Sequence, residues 1–181
     1  MAQFTVSIIG AGGMGAGLVA RLTSAGHDLL IHDRNLDKVG KAIEGADSAG
    51  SARSASLEEA LSEGEIVVLA VWYPATVDLV REHADTLAGK MVVDISNPLD
   101  ASATRIELPA DTSGAKQLAA AAPALRIVKA FNTLPAPTLL AGAVGGTSLD
   151  TFVASDDAAA KAAVIKVLEG SGLRGIVTGQ G

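Results

Sequence analysis

The sequence predicts an α/β fold of the Rossmann type, built on a doubly wound and mostly parallel sheet. Apolar strand-like runs alternate with amphipathic helical segments, and the first run leads directly into a Gly-x-Gly-x-x-Gly turn. A second strand-like run ends in an acidic residue, roughly 20 residues beyond that turn. Because the length of 181 residues suits one domain, we expect residues 1–181 to form a single NAD(P)-binding domain.

Each element is predicted from its own apolar pattern. Unbroken apolar runs predict buried parallel strands, whereas helical periodicity, alanine content and a first-turn proline predict helices. The predicted strands are 4–9, 29–32, 65–71, 90–94, 126–131, 151–154 and 174–178. The predicted helices are 14–25, 37–44, 57–61, 74–87, 115–122 and 156–168. This alternation leaves no segment for a large C-terminal helical domain.

The glycine turn has the sequence context of a dinucleotide site. Gly10 permits a tight turn, Gly12 lets backbone approach a pyrophosphate, and Gly15 lets the following helix pack close to the strand. The N–H groups at the start of that helix would then point at the phosphates. In a doubly wound sheet, ligands lie beyond the carboxyl ends of the strands, so the other candidate residues are sought there.

Composition excludes several classes of function. The formal net charge of −6, with no basic cluster, argues against nucleic acid and anionic membranes as partners. The chain contains no Cys, and its three histidines lack the spacing of metal ligands, so we expect neither thiolate chemistry nor a metal site. No apolar run approaches ~18 residues, and no leader is apparent. A cytoplasmic location is therefore expected.

The end of the second predicted strand gives divided signals about the cofactor. Asp33 stands where Rossmann domains place the acid that binds the adenosine ribose, which favours NAD(H). Arg34 is suited to pair with a 2′-phosphate, which favours NADP(H), although it would also serve as a solvated surface charge.

Three further segments carry a resemblance to a known family: 92–99 (VVDISNPL), 112–116 (TSGAK) and 128–133 (VKAFNT). Together with the glycine turn, they closely resemble the NADP-dependent oxidoreductases of the deazaflavin coenzyme F420 type. The cytosolic domain of the six-transmembrane ferric reductases is similar in the same places. The resemblance extends from Thr5 to about Val177 and implies direct hydride transfer between a nicotinamide and a deazaflavin or flavin. It implies no obligatory catalytic side chain.

The resemblance also implies roles for individual residues. The pyrophosphate would be held by Gly10, Ala11, Gly12, Met14 and Gly15, and the adenosine ribose would face Asp33 and Arg34. The nicotinamide end would be bordered by Val71, Trp72 and Pro74, by Ser96, Asn97 and Pro98, and by Asn132 and Thr133. The family more often has Ser or Thr at the position of Asp33, so NADP(H) is only slightly favoured over NAD(H).

Structural explanations compete with these roles. Asn97-Pro98 is also typical of a plain turn, and Asn132-Thr133 is also typical of a helix cap. Trp72 would equally suit a residue that covers the rim of the core. Family members usually continue into helices that close the pocket of the second cofactor, so the resemblance implies either a chain truncated before such a helical segment or a minimal version whose pocket another chain completes. A non-catalytic NAD(P)-binding sensor or regulatory module is therefore the alternative function. An apolar rim around Trp72, Leu134 and Pro135 predicts a homo-oligomer.

Overall fold

Six parallel strands form the central sheet in the computed structural model, which describes residues 4–100 and 102–179. They are β1 (Thr5–Ile9), β2 (Asp28–His32), β3 (Ser51–Ser54), β4 (Ile66–Leu69), β5 (Met91–Asp94) and β6 (Arg126–Lys129). Their order is β3-β2-β1-β4-β5-β6, so the direction of winding reverses between β1 and β4. This order is that of a Rossmann fold and confirms the predicted fold class.

Eight helices within the described residues cover the two faces of this sheet. They are α1 (Gly13–Ser24), α2 (Leu36–Glu44), α3 (Leu57–Glu63), α4 (Tyr73–Glu82), α5 (Ala84–Leu87), α6 (Gly114–Ala121), α7 (Ala136–Ala141) and α8 (Ala158–Leu168). Apolar side chains of α1, α2, α7 and α8 form one buried cluster with the sheet, and those of α3, α4, α5 and α6 form a second. None of these helices has the length and hydropathy needed to cross a membrane.

A small second sheet follows the central one along the chain. It contains β7 (Ala143–Val144), β8 (Thr147–Val153) and β9 (Leu173–Val177), with β7 antiparallel and β9 parallel to β8. The backbones of Lys129 and Ala154 exchange hydrogen bonds of 2.8 and 3.0 Å, which join this sheet to the end of β6. Arg126 forms a bidentate pair with Asp157, the N-cap of α8, and lowers the pKa of that carboxyl to about 2.

Helix α1 lies unusually close to α7. A Cβ added at Gly13 would lie 3.1 Å from the Cβ of Ala136, and one added at Gly17 would lie 3.1 Å from Leu139. Both distances are shorter than ordinary van der Waals contact, so the two glycines let the helices approach each other. Leu139 is fully buried in this contact.

The predicted element boundaries need several corrections. The helix expected over 74–87 is two helices, α4 and α5, because His83 leaves the helical conformation with φ −117°. The strand expected over 65–71 spans only β4, and the one expected over 151–154 begins earlier, at Thr147. The polar strand β3, the short helix α7 and the hairpin strand β7 were absent from the prediction.

Candidate functional site

The predicted site residues lie in the turns that follow five parallel strands, except for Met14, Gly15 and Pro74, which lie in the first turn of the helix that comes next. The glycine turn follows β1, and Asp33 and Arg34 follow β2. The remaining predicted residues are distributed over the turns after β4 (Val71, Trp72, Pro74), β5 (Ser96, Asn97, Pro98) and β6 (Asn132, Thr133). Because these strands are parallel neighbours, their carboxyl ends share one edge of the sheet, where doubly wound folds bind ligands.

Two glycines of the turn are required by backbone packing. Gly10 has φ +106°, and an added Cβ would collide with the carbonyl oxygen of Ala70 at the end of β4. A Cβ at Gly15 would collide with the carbonyl oxygen of Gly10. The absence of both side chains brings the start of α1 against the end of β1, next to the point where winding reverses.

Gly12 differs from these two because the space around it is open. No heavy atom of the described residues, apart from its chain neighbours, lies within 4 Å of where its Cβ would be. Gly12 is the N-cap of α1, no side chain caps this helix, and its first turn contains no acidic residue. Side chains cap α2, α3, α6 and α8, whereas α4, α5 and α7 share with α1 the lack of a side-chain cap. What distinguishes α1 is that its uncapped start lies in the glycine turn beside an open space, an arrangement that suits an anion.

Both carboxylate oxygens of Asp33 accept hydrogen bonds from backbone N–H groups. Its Oδ2 accepts a hydrogen bond of 2.8 Å from the N–H of Ala11, and its Oδ1 accepts one of 2.8 Å from the N–H of Asn35. Burial acts to raise the pKa of Asp33. The two backbone N–H groups, helped by the nearby charges of Lys38 and His32, outweigh burial and lower the pKa below its usual value. Asp33 is therefore ionised at neutral pH.

Arg34 is exposed at the start of the turn before α2. Within residues 4–100 and 102–179, no salt bridge or side-chain hydrogen bond engages its guanidinium. Its side chain is therefore available to a ligand beside the glycine turn.

A buried ion pair lies beneath the turns after β5 and β6. Asp94, which is fully buried, accepts a hydrogen bond of 2.8 Å from the Nζ of Lys129, its register partner on the neighbouring strand. The other oxygen of Asp94 accepts bonds from the N–H and the hydroxyl of Ser96, at 2.9 and 2.6 Å. Lys129 also donates to the carbonyl oxygen of Ser96. The hydroxyl of Ser96 is thus turned toward Asp94.

Above this pair, two asparagines join the same two turns. The Nδ2 of Asn97 donates to the carbonyl oxygen of Asn132, and the Nδ2 of Asn132 donates to the Oδ1 of Asn97, both at 3.1 Å. Phe131, which is buried, has φ +62°, a conformation that non-glycine residues rarely adopt and that often marks functional turns. This turn directs Asn132 toward Asn97.

The turn after β4 presents one aromatic side chain to solvent. Trp72, the N-cap of α4, is 71 % exposed, and Val71 beside it is half-buried. Tyr73 instead turns inward, where its hydroxyl donates a 2.7 Å hydrogen bond to Gln117 of α6. Burial, with the nearby charge of Asp94, raises the pKa of Tyr73. Tyr73 therefore connects helices, while Trp72 is exposed in the turn after β4.

Sequence reasoning missed Lys129 as a site residue. Its signal was a lysine at the end of an otherwise apolar strand, and Asp94 gave the complementary signal on the preceding strand. A charged residue in such a run needs a buried partner, but which partner it takes depends on the register of β5 and β6.

Comparison with known proteins agrees with this arrangement. The model of the family described as "NADP oxidoreductase coenzyme F420-dependent" matches residues 5–98, from the first strand through Pro98. The chain belongs to this family. The match includes the glycine turn, the Asp33-Arg34 pair and the turns after β4 and β5, which confirms the resemblance seen in the sequence.

Two relatives extend the similarity beyond Pro98. Metalloreductase STEAP3 of Rattus norvegicus is 31 % identical over 174 residues, covering 92 % of this chain and 32 % of its own length. This chain therefore spans about a third of that relative. An F420-dependent NADP reductase of Methanothermobacter marburgensis is 30 % identical over an alignment of 158 residues, and the match covers 81 % of this chain and 70 % of the methanogen protein.

Solved structures show the same fold. A hypothetical protein of Sinorhizobium meliloti, 29 % identical, superposes with a TM-score of 0.82 over 98 % of this chain and 85 % of its own. A candidate F420-dependent NADP reductase of Arthrobacter, 26 % identical, gives a TM-score of 0.80 with the same coverage of both chains.

Substitution of Gly12 tests whether the open space is a ligand site. Gly12→Val should abolish dinucleotide binding, measured by titration calorimetry, because the new side chain enters the space that a pyrophosphate would need. The extended backbone of Gly12 tolerates a β-branched residue, so the melting temperature should change little. Gly40→Val, another addition into open space, is the matched control and should bind normally. Equal affinity in both variants would contradict the site.

Substitution of Lys129 tests the buried ion pair. Lys129→Met leaves the Asp94 carboxylate buried without its cation, which should destabilise the fold by about 3–5 kcal/mol. Chemical denaturation measures this loss, and Lys116→Met, which removes an exposed lysine, is the control. Asp94→Asn combined with Lys129→Met should recover part of the stability, since no buried charge is then left unpaired. A single variant as stable as the control would refute this role.

Proposed function

We propose that this chain is an NADP-dependent oxidoreductase that transfers a hydride between the nicotinamide and a deazaflavin or flavin acceptor. The observation that carries the proposal is the uncapped start of α1, facing open space at Gly12, in a chain of the coenzyme F420-dependent NADP oxidoreductase family. The residues present fit the dinucleotide: backbone donors for a diphosphate, an available guanidinium beside them, and amide groups farther along the same edge.

Each part of this edge has a proposed task. The first N–H groups of α1, exposed by Gly12, bind the pyrophosphate together with the backbone of Met14 and its neighbours, whereas the N–H of Ala11, expected from the sequence to join them, is bonded to Asp33. Arg34 pairs with the 2′-phosphate of the adenosine ribose. Val71, Trp72 and Pro74 border the ribose at the nicotinamide end. The Asn97–Asn132 pair, followed by Pro98 and Thr133, offers amide groups to the nicotinamide carboxamide or to the second ring.

The chemistry needs positioning rather than a protein acid or base. NADPH, when bound, supplies a hydride to the acceptor ring, and water supplies the proton that completes the reduction. The protein contributes by holding the nicotinamide within reacting distance of that ring, and the ion pair beneath Ser96 keeps the two turns that do so in place. We therefore propose no catalytic side chain.

Turnover with defined acceptors tests this function. NADPH oxidation is followed with coenzyme F420, FMN, FAD and riboflavin in turn, with Gly12→Val as the inactive control. Transfer of deuterium from the labelled nicotinamide ring to the acceptor identifies a direct hydride step. We expect reduction of at least one acceptor by the wild-type chain and none by the variant. Tight NADPH binding without reduction of any acceptor would favour the sensor or regulatory module instead.

Arg34 is proposed to favour NADP(H) over NAD(H). Loss of a charge-assisted bond is worth about 1.5–3 kcal/mol, so Arg34→Ala should weaken NADPH binding roughly 10- to 100-fold while leaving NADH nearly unchanged. Lys41→Ala, which removes another exposed cation from α2, is the control. Calorimetric titration of both dinucleotides measures the ratio. If the ratio stays that of the wild type, Arg34 does not contact the 2′-phosphate.

The other expectations stay predictions. A homo-oligomer is supported by the exposure of Trp72 and Pro135, two of the three residues of the expected apolar rim, whereas Leu134 is half-buried against the core. A cytoplasmic location and a single NAD(P)-binding domain are likewise proposals for this chain.

A further inference from the structure

Asp33 occupies an unusual position between two turns. The carbonyl oxygen of His32 accepts a 2.7 Å hydrogen bond from the N–H of Gly10, and the next residue, Asp33, accepts one from the N–H of Ala11. The last residue of β2 and the residue that follows it thus hold two consecutive residues of the glycine turn. The other carboxylate oxygen of Asp33 holds its own turn through Asn35.

These bonds change what Asp33 offers to a ligand. A carboxylate that reads a ribose presents free oxygens to the 2′- and 3′-hydroxyls. Here each oxygen already accepts a backbone N–H at 2.8 Å, which uses one of its two lone pairs, and the orientation of the carboxylate is set by two separate pieces of chain instead of by a ribose. The lowered pKa of Asp33 agrees with a carboxylate stabilised by these donors. The N–H of Ala11, for its part, is directed at Asp33 and away from a phosphate.

We propose that Asp33 is a positioning residue that holds the glycine turn in its binding shape for either dinucleotide, and that it does not select the adenosine ribose. This inference rests on the proposed function only in that the turn binds a dinucleotide. The sequence offers Asp33 as a residue that favours NAD(H) and Arg34 as one that favours NADP(H). If Asp33 serves to hold backbone, Arg34 is the residue that distinguishes the two dinucleotides.

The two interpretations predict opposite changes in NADPH affinity. If Asp33 reads the ribose, its removal weakens NADH and strengthens NADPH, because a carboxylate repels the 2′-phosphate. If Asp33 holds the turn, its removal weakens both, because both dinucleotides use the same pyrophosphate site. Whether removal of Asp33 strengthens or weakens NADPH binding therefore distinguishes the two interpretations.

Calorimetric titration of Asp33→Asn and Asp33→Ser with each dinucleotide measures these signs. Asn keeps the shape of the Asp33 side chain but places an N–H₂ group against one of the two backbone N–H donors. Ser is too short to accept hydrogen bonds from both donors. We expect NADPH and NADH each to bind about tenfold more weakly in both variants. Asp37→Asn, which removes an exposed carboxylate whose side chain holds neither turn, is the control and should bind like the wild type. Any other pattern, above all tighter NADPH binding, overturns the proposal.

A second measurement needs no dinucleotide. Amide hydrogen exchange at Ala11 and Asn35 in the free chain should be slow in the wild type and in Asp37→Asn, and about tenfold faster at one or both amides in the two Asp33 variants, because neither replacement supplies an acceptor to both amides. Equal exchange in all four proteins would overturn the proposal. If the wild type binds neither dinucleotide, the proposed function fails, while the exchange rates still decide whether Asp33 holds the turn.

Discussion

The close approach of α1 to the end of β1 is the constraint on which the binding edge depends. It exists because Gly10 and Gly15 lack side chains that would otherwise collide with the backbone of Ala70 and of Gly10 itself. Backbone packing therefore fixes where α1 begins, and with it the direction in which its first N–H groups point. The positive end of the helix dipole consequently lies at the switch point of the sheet.

The opposite end of the edge is held by a different kind of interaction. There, the Asp94–Lys129 ion pair and the Asn97–Asn132 amide pair connect the turns after β5 and β6. The Asp94 carboxylate is costly to bury without the partners that Lys129 and Ser96 supply, whereas the Asn97–Asn132 pair lies at the surface. The arrangement makes these two turns one unit, so that their ligand-facing groups keep fixed relative positions.

Much of the fold was predictable because it depends on local patterns. The runs that became β1, β4 and β5 are apolar and β-branched, and the glycine turn carries its own signature. β3 was not predictable, since Ser51–Ser54 contains one apolar residue and forms a strand only because it pairs with β2. α7 has six residues with a proline in its first turn, too few to show a helical period. The break at His83 likewise has no sequence signal.

The candidate site, like the fold, could be predicted from the sequence only in part. The turns that carry it follow from strand order, which the alternating pattern predicts. What each side chain does within them depends on contacts between segments distant in sequence. The bond from Ala11 to Asp33 and the register that pairs Asp94 with Lys129 are of this kind, and neither is encoded in spacing along the chain.

The packing of α1 on α7 has a consequence for the whole edge. The glycines of α1 rest on Ala136 and Leu139, and α7 follows directly on the turn that contains Asn132. The helix proposed to bind the phosphates and the segment after the proposed nicotinamide turn are thus in direct contact. The glycines of α1 bring the two helices close, and the buried Leu139 side chain fills the contact between them. An extended dinucleotide, bound as proposed, would therefore meet its two sets of contacts at a separation that depends on this helix packing.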